Sequence, residues 1–472
     1  MNTYEIYVGG SFQRTGQPLE VRNPYNQEVI ATTFLAGHEE LEIAIIKAQE
    51  SLDLMKQMPV YQKYDILMKI AHEIKSNAEY LASVLCMESA KPMKFALGEI
   101  NRAVQTFIAA AEESKRIPAE IMSLDWTPDF AGKEGIIKYF PLGIVAGISP
   151  FNFPMNLVAH KVAPAIAAGC PIVVKPARAT PLSTLELARI IDKTDLPKGA
   201  FSVLPMDRIA GNQLVTDERF KLITFTGSPD VGWKMKNDAG KKKVVLEMGG
   251  NAGLIITNDC DIDAAVKRSV VGAFAFSGQV CIHTQRIYVE KNIFEIFKEK
   301  FVLAVKQLKQ GDPIDKTTDI SVVIDEENAI RIELWIEEAV REGATLLCGG
   351  KRDGAFVEPT VLTNTKESMK VSCQEIFGPV VIIEPFENFE KAVQAVNNSK
   401  YGLQAGVFTN SITQMNYAFK HLDVGGLMIN DIPGFRTDHM PYGGIKDSGL
   451  GREGVKYAMM DMLEPKIMVK SN

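Results

Sequence analysis

The chain has 472 residues, 46% hydrophobic and 23% charged, with a formal net charge of −6. That length accommodates two or three domains with sizeable cores, and the acidic balance leaves no basic excess to neutralise nucleic-acid phosphates or an anionic membrane surface. The six cysteines, at 86, 170, 260, 281, 348 and 373, show no CxxC or Cys/His spacing for a zinc site, so neither a metal nor a disulfide framework is expected and a reducing cytoplasm is the expected compartment.

The N-terminal run MNTYEIYVGGSFQ has no basic segment followed by an apolar one, and no window of eighteen uninterrupted apolar residues follows, so neither a signal peptide nor a membrane span is expected. Residues 4 to 34 alternate short β-rich runs with turn signals (Gly9-Gly10, Asn23-Pro24), as in a hairpin region. From about His38 to Lys115, apolar residues recur at three- and four-residue intervals in EELEIAIIKAQESLDLMKQM, YQKYDILMKIAHEIKSNAEYLASVLCME and FALGEINRAVQTFIAAAEESKR, which predicts a layer of helices. EGIIKYFP, near residues 134 to 141, reads as an isolated strand pair.

Beyond Gly143 short β-rich runs alternate with helical ones. GIVAGIS, CPIVVKP, GAFSVLP and LITFTG read as strands separated by helices, the pattern of parallel βαβ units whose ligands bind beyond the carboxyl ends of the strands. A second such series is expected to start at VVLEMGG and to run through NAGLIITN, RIYVE, GPVVIIEPF, GVFTN and GGLMIN. Two open α/β domains would then face each other across a cleft. The tail YAMMDMLEPKIMVKSN ends in a β-like run that could pair with a neighbouring chain or with the strand near residue 138.

Several motifs carry possible chemistry. Cys281, in FAFSGQVCIHTQR, sits between a helical run and a β-branched run, where a thiol could be an exposed nucleophile or an inert core filler. In SPFNFPMN, Pro150 and Pro154 restrict the backbone around Asn152, whose amide could donate to an oxyanion or merely cap a helix. Lys175, at a strand's carboxyl end, suits nucleotide hydroxyls or phosphates, and Gly227-Ser228 end another strand where backbone amides could face a pyrophosphate. Glu247, in LEMGG, could be a general base or a structural hydrogen-bonding acid. The GxGxxG match at 449–454 has no preceding strand and too little chain after it for a dinucleotide fingerprint, so a structured active-site or interface loop is expected there.

SPFNFP, KPARATPLS, FTGSPDVG, LEMGGN, FSGQVC, EIFGPV and MPYGGIKDSGLGREG stand in one order along nearly the whole chain, and together they resemble the aldehyde dehydrogenase superfamily. The resemblance implies an α/β fold with two open α/β domains, a Rossmann-like cofactor domain (1–120 and 141–246) and a catalytic domain (247–446). A small β oligomerisation extension (121–140 and 447–472) would build a homodimer or homotetramer. It also implies oxidation of an aldehyde by NAD or NADP. Cys281 would attack the carbonyl, Asn152 and the Cys281 backbone amide would hold the oxyanion, and Glu247 would activate the hydrolytic water. On the cofactor, Lys175 and Glu375 would hold the riboses, Gly227 and Ser228 the pyrophosphate, and Phe377 the nicotinamide side. Ser149, Pro150, Phe151, Ala177, Arg178 and Met248 would complete that site. The alternatives are a catalytically silent protein on the same fold and a cofactor-independent thiol esterase.

Three features depart from the commonest family pattern. Arg178 stands where many NAD-using members have glutamate, and a guanidinium there, which Arg208 after the next strand could assist, favours a 2′-phosphate and hence NADP. His160 replaces a common tryptophan. Arg102, His160, Arg436 and His439 fall in the regions from which relatives hold a distant anionic group, so a short aldehyde bearing carboxylate, phosphonate, sulfonate or phosphate is expected. Lactaldehyde is the uncharged alternative. The competing expectation for Arg102 is a structural ion pair with Glu99 or Glu88, and His283 is expected either to line the pocket or to face outward.

Overall fold

The computed structural model describes residues 2–471. The helical layer begins at His38–Gln57, where the Glu40 carboxylate accepts the Gly37 N–H at 2.7 Å and so satisfies a donor that the helix start leaves open. Its buried face carries Leu41, Ala44, Ile45 and Ala48, spaced three and four apart. The second apolar-periodic run is cut at Asn77 into two helices, Val60–Ser76 and Ala78–Ser89. The fourth helix, Met93–Ser114, starts behind Pro92 and buries Ala96, Ile100, Ala103, Phe107 and Ala110 against the helix Asn156–Ala168 and its surroundings. Phe107 is wholly buried, and truncating such a ring costs about 3–5 kcal/mol.

An eight-stranded sheet lies beneath this layer. Its five central strands run parallel in the order Lys243–Met248, Phe220–Gly227, Ile144–Ile148, Ile172–Lys175 and Phe201–Val203. Antiparallel pieces close both edges, Gly449–Leu450 on one side and the hairpin Ile6–Val8 with Ser11–Gln13 on the other. Ile144–Ile148 is buried throughout, as a strand covered on both faces must be. The parallel register brings Ile148 beside Lys175 and Gly227 beside Met248, so the candidate cofactor residues gather at one end of one sheet.

A seven-stranded sheet forms the other half. Six parallel strands run in the order Thr360–Thr363, Val380–Phe386, Thr284–Glu290, Ala252–Ile256, Gln404–Phe408 and Gly426–Ile429, with Thr345–Cys348 antiparallel at one edge. The second series was expected to open at VVLEMGG; instead Lys243–Met248 pairs with Phe220–Gly227 and belongs to the first sheet. Glu247 is therefore delivered by the first sheet and Cys281 by the second.

EGIIKYFP is not an isolated pair. Lys133–Pro141 is the centre of a three-stranded antiparallel sheet between Ala119–Ser123 and Leu463–Ser471, with Lys466 opposite Lys138. This sheet is largely bare: Ile121 is 71% exposed, and Ile467, Met468 and Val469 are each about half exposed.

Candidate active site

The nucleophile loop is built against its own backbone preferences. After the helix Ile262–Phe274 the chain passes through Phe276 (φ 49°) and Ser277 (φ 53°), left-handed conformations that side-chain-bearing residues rarely adopt. Gly278 follows with φ 70°, where a Cβ would stand 2.1 Å from the Gly378 carbonyl oxygen. Tertiary bonds hold this shape: Ser277 Oγ donates to the Ser321 carbonyl at 2.6 Å, and Gln279 Oε1 accepts the Ile324 N–H at 2.9 Å. The loop presents Cys281 partly accessible, just ahead of the strand Thr284–Glu290.

Around the sulfur the geometry is close. The Tyr442 hydroxyl lies 3.0 Å from Cys281 Sγ, and the Arg436 guanidinium lies over the Tyr442 ring, 3.6 Å from its centroid. Burial pushes the Cys281 thiol well up and the Glu247 charge adds to it, while the tyrosine hydrogen bond works the other way. Gly250 lets the two sheets meet here, because a Cβ on it would stand 2.7 Å from the Cys281 carbonyl oxygen.

Glu247 is 1% exposed, and both its carboxylate oxygens are buried without a hydrogen-bond partner. Burial first and the Glu453 charge second push its pKa up to about 8, with Arg436 opposing. Buried acids are mostly hydrogen-bonded; this one keeps open lone pairs close to Cys281. Asn152 is buried in the irregular turn after Ile144–Ile148, and its Nδ2 donates to the Gln279 carbonyl at 2.9 Å, leaving the second amide hydrogen uncommitted.

The strand ends hold groups that fit a dinucleotide. Ser149 Oγ is buried without a partner, and the ammonium of the largely buried Lys175 makes no hydrogen bond or ion pair among the described residues. Burial, and then the charge of Arg178, depress the Lys175 ammonium. Gly227 ends its strand and Ser228 stands at the N-terminus of the helix Pro229–Asp238, where backbone N–H groups are open to an anion. Glu375 accepts the Gly250 N–H at 3.0 Å and is held near pKa 7 by burial. Phe377 (φ 47°) meets Phe151 edge to face at 5.8 Å. Met248 is buried, Pro150 and Ala177 are half-buried, and Arg178 is exposed.

The basic candidates divide. Asp438 accepts from Arg102 Nη2 and faces His160 Nε2, both at 2.8 Å, while Arg436 Nη2 donates to Glu453 at 3.0 Å. His439 is exposed and makes no hydrogen bond or ion pair among the described residues. Neither sequence-based partner of Arg102 is used: Glu99 pairs with Lys91, and Glu88 accepts the Leu182 and Ser183 N–H groups at the start of the helix Leu182–Asp192. Burial and Arg436 hold His160 down at about 4, so it is neutral at pH 7 and offers a ring N–H rather than a charge. His283 neither lines a pocket nor faces outward; it is 3% exposed and bonded to the Ala273 carbonyl at 2.8 Å.

Sequence reasoning missed Lys91, Lys161, Asp438, Tyr442 and Glu453. Lys161 donates to Thr226 at 2.7 Å, Thr224 at 3.2 Å and Glu453 at 3.3 Å. A lysine inside an all-buried helix was the available signal.

Residues 12–468 match the model of the aldehyde dehydrogenase family. The chain is 41% identical over 467 residues to a 3-sulfolactaldehyde dehydrogenase of Priestia megaterium, covering 99% of this chain and 98% of that one. It superposes on aldehyde dehydrogenase 21 from Physcomitrella patens, solved with the reaction product succinate, with a TM-score of 0.98, 47% identity and coverage of 100% and 98%. A glyceraldehyde-3-phosphate dehydrogenase from Methanocaldococcus jannaschii, complexed with NADP, matches with a TM-score of 0.92, 39% identity and coverage of 96% and 99%. The chain belongs to the aldehyde dehydrogenase family and is an NAD(P)-dependent enzyme that oxidises a small aldehyde to its acid.

Proposed function

We propose that the substrate is a short aldehyde whose far end carries oxygen-rich, anionic chemistry such as a carboxylate or sulfonate. One observation carries this reading: Arg102 Nε and Arg436 Nε are both buried without a partner, in the side-chain group that reaches Cys281 through Tyr442. Buried N–H donors left open are costly unless a ligand fills them. Charge favours the same reading, because Arg102, Lys161 and Arg436 face two carboxylates, Asp438 and Glu453, with His160 neutral. The relatives' names, a sulfonated aldehyde and a succinate complex, agree with it.

In the chemistry that follows, Cys281 gives up its proton to solvent water and its sulfur adds to the carbonyl carbon. The Asn152 amide and the Cys281 backbone N–H hold the resulting oxyanion. The nicotinamide, when bound, accepts the hydride. Glu247 then takes a proton from water, which attacks the thioester and releases the acid and the thiol. Lys175 and Glu375 would hold the riboses, and Gly227 and Ser228 the pyrophosphate. Phe377, Phe151, Ser149, Pro150, Ala177 and Met248 would line the remainder of that site. Arg178, exposed beside Lys175 and without an ion pair among the described residues, supports acceptance of the NADP 2′-phosphate.

The bare three-stranded sheet, with its open edge strand Leu463–Ser471, supports a homodimer or homotetramer. Six unpaired cysteines support a cytoplasmic setting; no helix among the described residues is long and apolar enough to cross a membrane. A panel of neutral and anionic aldehydes, assayed with both cofactors at about 340 nm, tests the substrate reading. Anionic members should have the higher kcat/KM, and a preference for uncharged aldehydes of equal length would overturn it.

A further inference from the structure

Lys91 touches neither reacting atom nor any candidate cofactor residue, yet its ammonium is the meeting point of the catalytic segments. Its side chain has no solvent exposure. It forms an ion pair with Glu99 and donates to the Asn152 backbone carbonyl at 2.6 Å. It also lies 3.8 Å from the centroid of the Phe153 ring and 4.5 Å from that of Phe276. Those four partners stand on three pieces of chain: the helix Met93–Ser114, the turn that carries Asn152, and the loop that carries Cys281.

Each contact constrains the reaction geometry. The turn from Ser149 to Pro154 has no regular structure of its own, and its two prolines lack N–H donors. Its shape therefore depends on bonds from outside. The Asn152 carbonyl is held by Lys91, and Glu99 accepts the Met155 and Asn156 N–H groups at 2.9 and 3.1 Å, fixing where the next helix begins. On the other side, Phe276 and Phe153 meet edge to face at 6.3 Å, with the ammonium over both rings. Asn152 Nδ2 in turn reaches the Gln279 carbonyl, two residues before the nucleophile. Lys91 thus grips the backbone of the amide donor with one contact and the nucleophile loop with another.

We propose that Lys91 is a positioning residue that sets the placement of the Asn152 amide relative to Cys281, and so the fit of the oxyanion site. A buried ion pair alone would be weak ground for such a role, since its net effect on stability is often near zero. What distinguishes this one is that its remaining partners belong to the two segments whose spacing decides acylation. A displacement of about 1 Å there costs on the order of a hundredfold in rate.

The inference rests on Asn152 acting as the oxyanion donor, and a double-mutant cycle separates the two. The double variant Lys91→Met with Glu99→Gln removes both buried charges together, and Phe276→Leu removes one ring while leaving every charge in place. In rapid-mixing assays of the first hydride transfer, the charge-free variant should slow the burst about thirtyfold and Phe276→Leu about fivefold, each with KM within about twofold of the parent. In an Asn152→Ala background both should add almost nothing, because the donor they position is gone. Losses that simply add to that of Asn152→Ala, or an unchanged burst in both variants, overturn the role of Lys91. If the charge-free variant does not fold, the Phe276→Leu arm decides alone by the same criterion. A burst that Asn152→Ala does not slow overturns the oxyanion reading, and the inference falls with it.

Discussion

The Tyr442 hydroxyl and the Cys281 sulfur stand 3.0 Å apart, and the ring that carries the hydroxyl is covered by Arg436. A hydroxyl that donates to sulfur stabilises the thiolate, opposing the burial and the Glu247 charge that push the thiol up. Tyr442→Phe keeps the ring and its stacking on Arg436 but deletes the donor. The expected outcome is a slower alkylation of Cys281 by iodoacetamide at pH 7, by roughly tenfold, with the pH midpoint of alkylation moved upward. A midpoint moved downward would show that the hydroxyl accepts from the thiol instead, and an unmoved one that the contact does not bias ionisation.

Glu247 gives the pH dependence its sign. Its folded pKa, raised to about 8, leaves it mostly protonated at pH 7, so the base form appears as pH rises. Thioester hydrolysis should therefore climb with pH toward about 8, and Glu247→Gln should flatten that limb and reduce steady-state turnover about a hundredfold or more. The hydride burst should survive in this variant. Glu453→Gln, which removes the second cause of the shift, should carry the limb to lower pH. A steady-state rate that Glu247→Gln leaves intact would remove the residue from the mechanism.

Most parallel strands were legible because each is a short apolar run bounded by glycine, proline or a helix, with the motif residues at their ends; Thr360–Thr363, only four residues long, was missed. Which sheet a strand joins is decided by long-range pairing, which local pattern does not encode; Lys243–Met248 looks like the start of a series and is the second-to-last strand of the preceding sheet. The discounted glycine-rich segment shows the same limit. Gly449–Leu450 pairs antiparallel with Leu246 and Glu247, and Glu453 just beyond it carries the buried charge that acts on Glu247. Asp438, Tyr442, Glu453 and Lys91 lie far in sequence from the partners they meet, so no spacing rule could pair them with His160, Cys281, Lys161 or Asn152.

Cofactor choice should follow Arg178. It is exposed beside Lys175, whose ammonium its charge depresses, and no carboxylate among the described residues pairs with it. A guanidinium there attracts a 2′-phosphate, and a carboxylate would repel one. Arg178→Glu should raise KM for NADP at least tenfold while lowering or sparing KM for NAD. Equal effects on both cofactors would locate the guanidinium away from the 2′ position.

Arg102 separates the anionic reading from the uncharged one. Its side chain is 30% exposed and one guanidinium nitrogen is taken by Asp438, while its buried Nε has no partner. Asp438 also faces His160 at 2.8 Å and Asn156 at 3.3 Å, so losing Arg102 does not strip that carboxylate of every bond. Arg102→Ala should therefore fold, with its main effect on substrate. For aldehydes with a distal carboxylate or sulfonate, kcat/KM should fall about tenfold to a hundredfold through KM, as expected for a lost charge-assisted hydrogen bond. For an uncharged aldehyde of the same length, kcat/KM should change less than about threefold. Arg436 is the control: with its side chain largely buried against Glu453 and Tyr442, its replacement by alanine should lower kcat for every aldehyde, because it also perturbs Glu247 and the ring beside Cys281. Should Arg102→Ala affect charged and uncharged aldehydes alike, the far end of the pocket reads shape rather than charge.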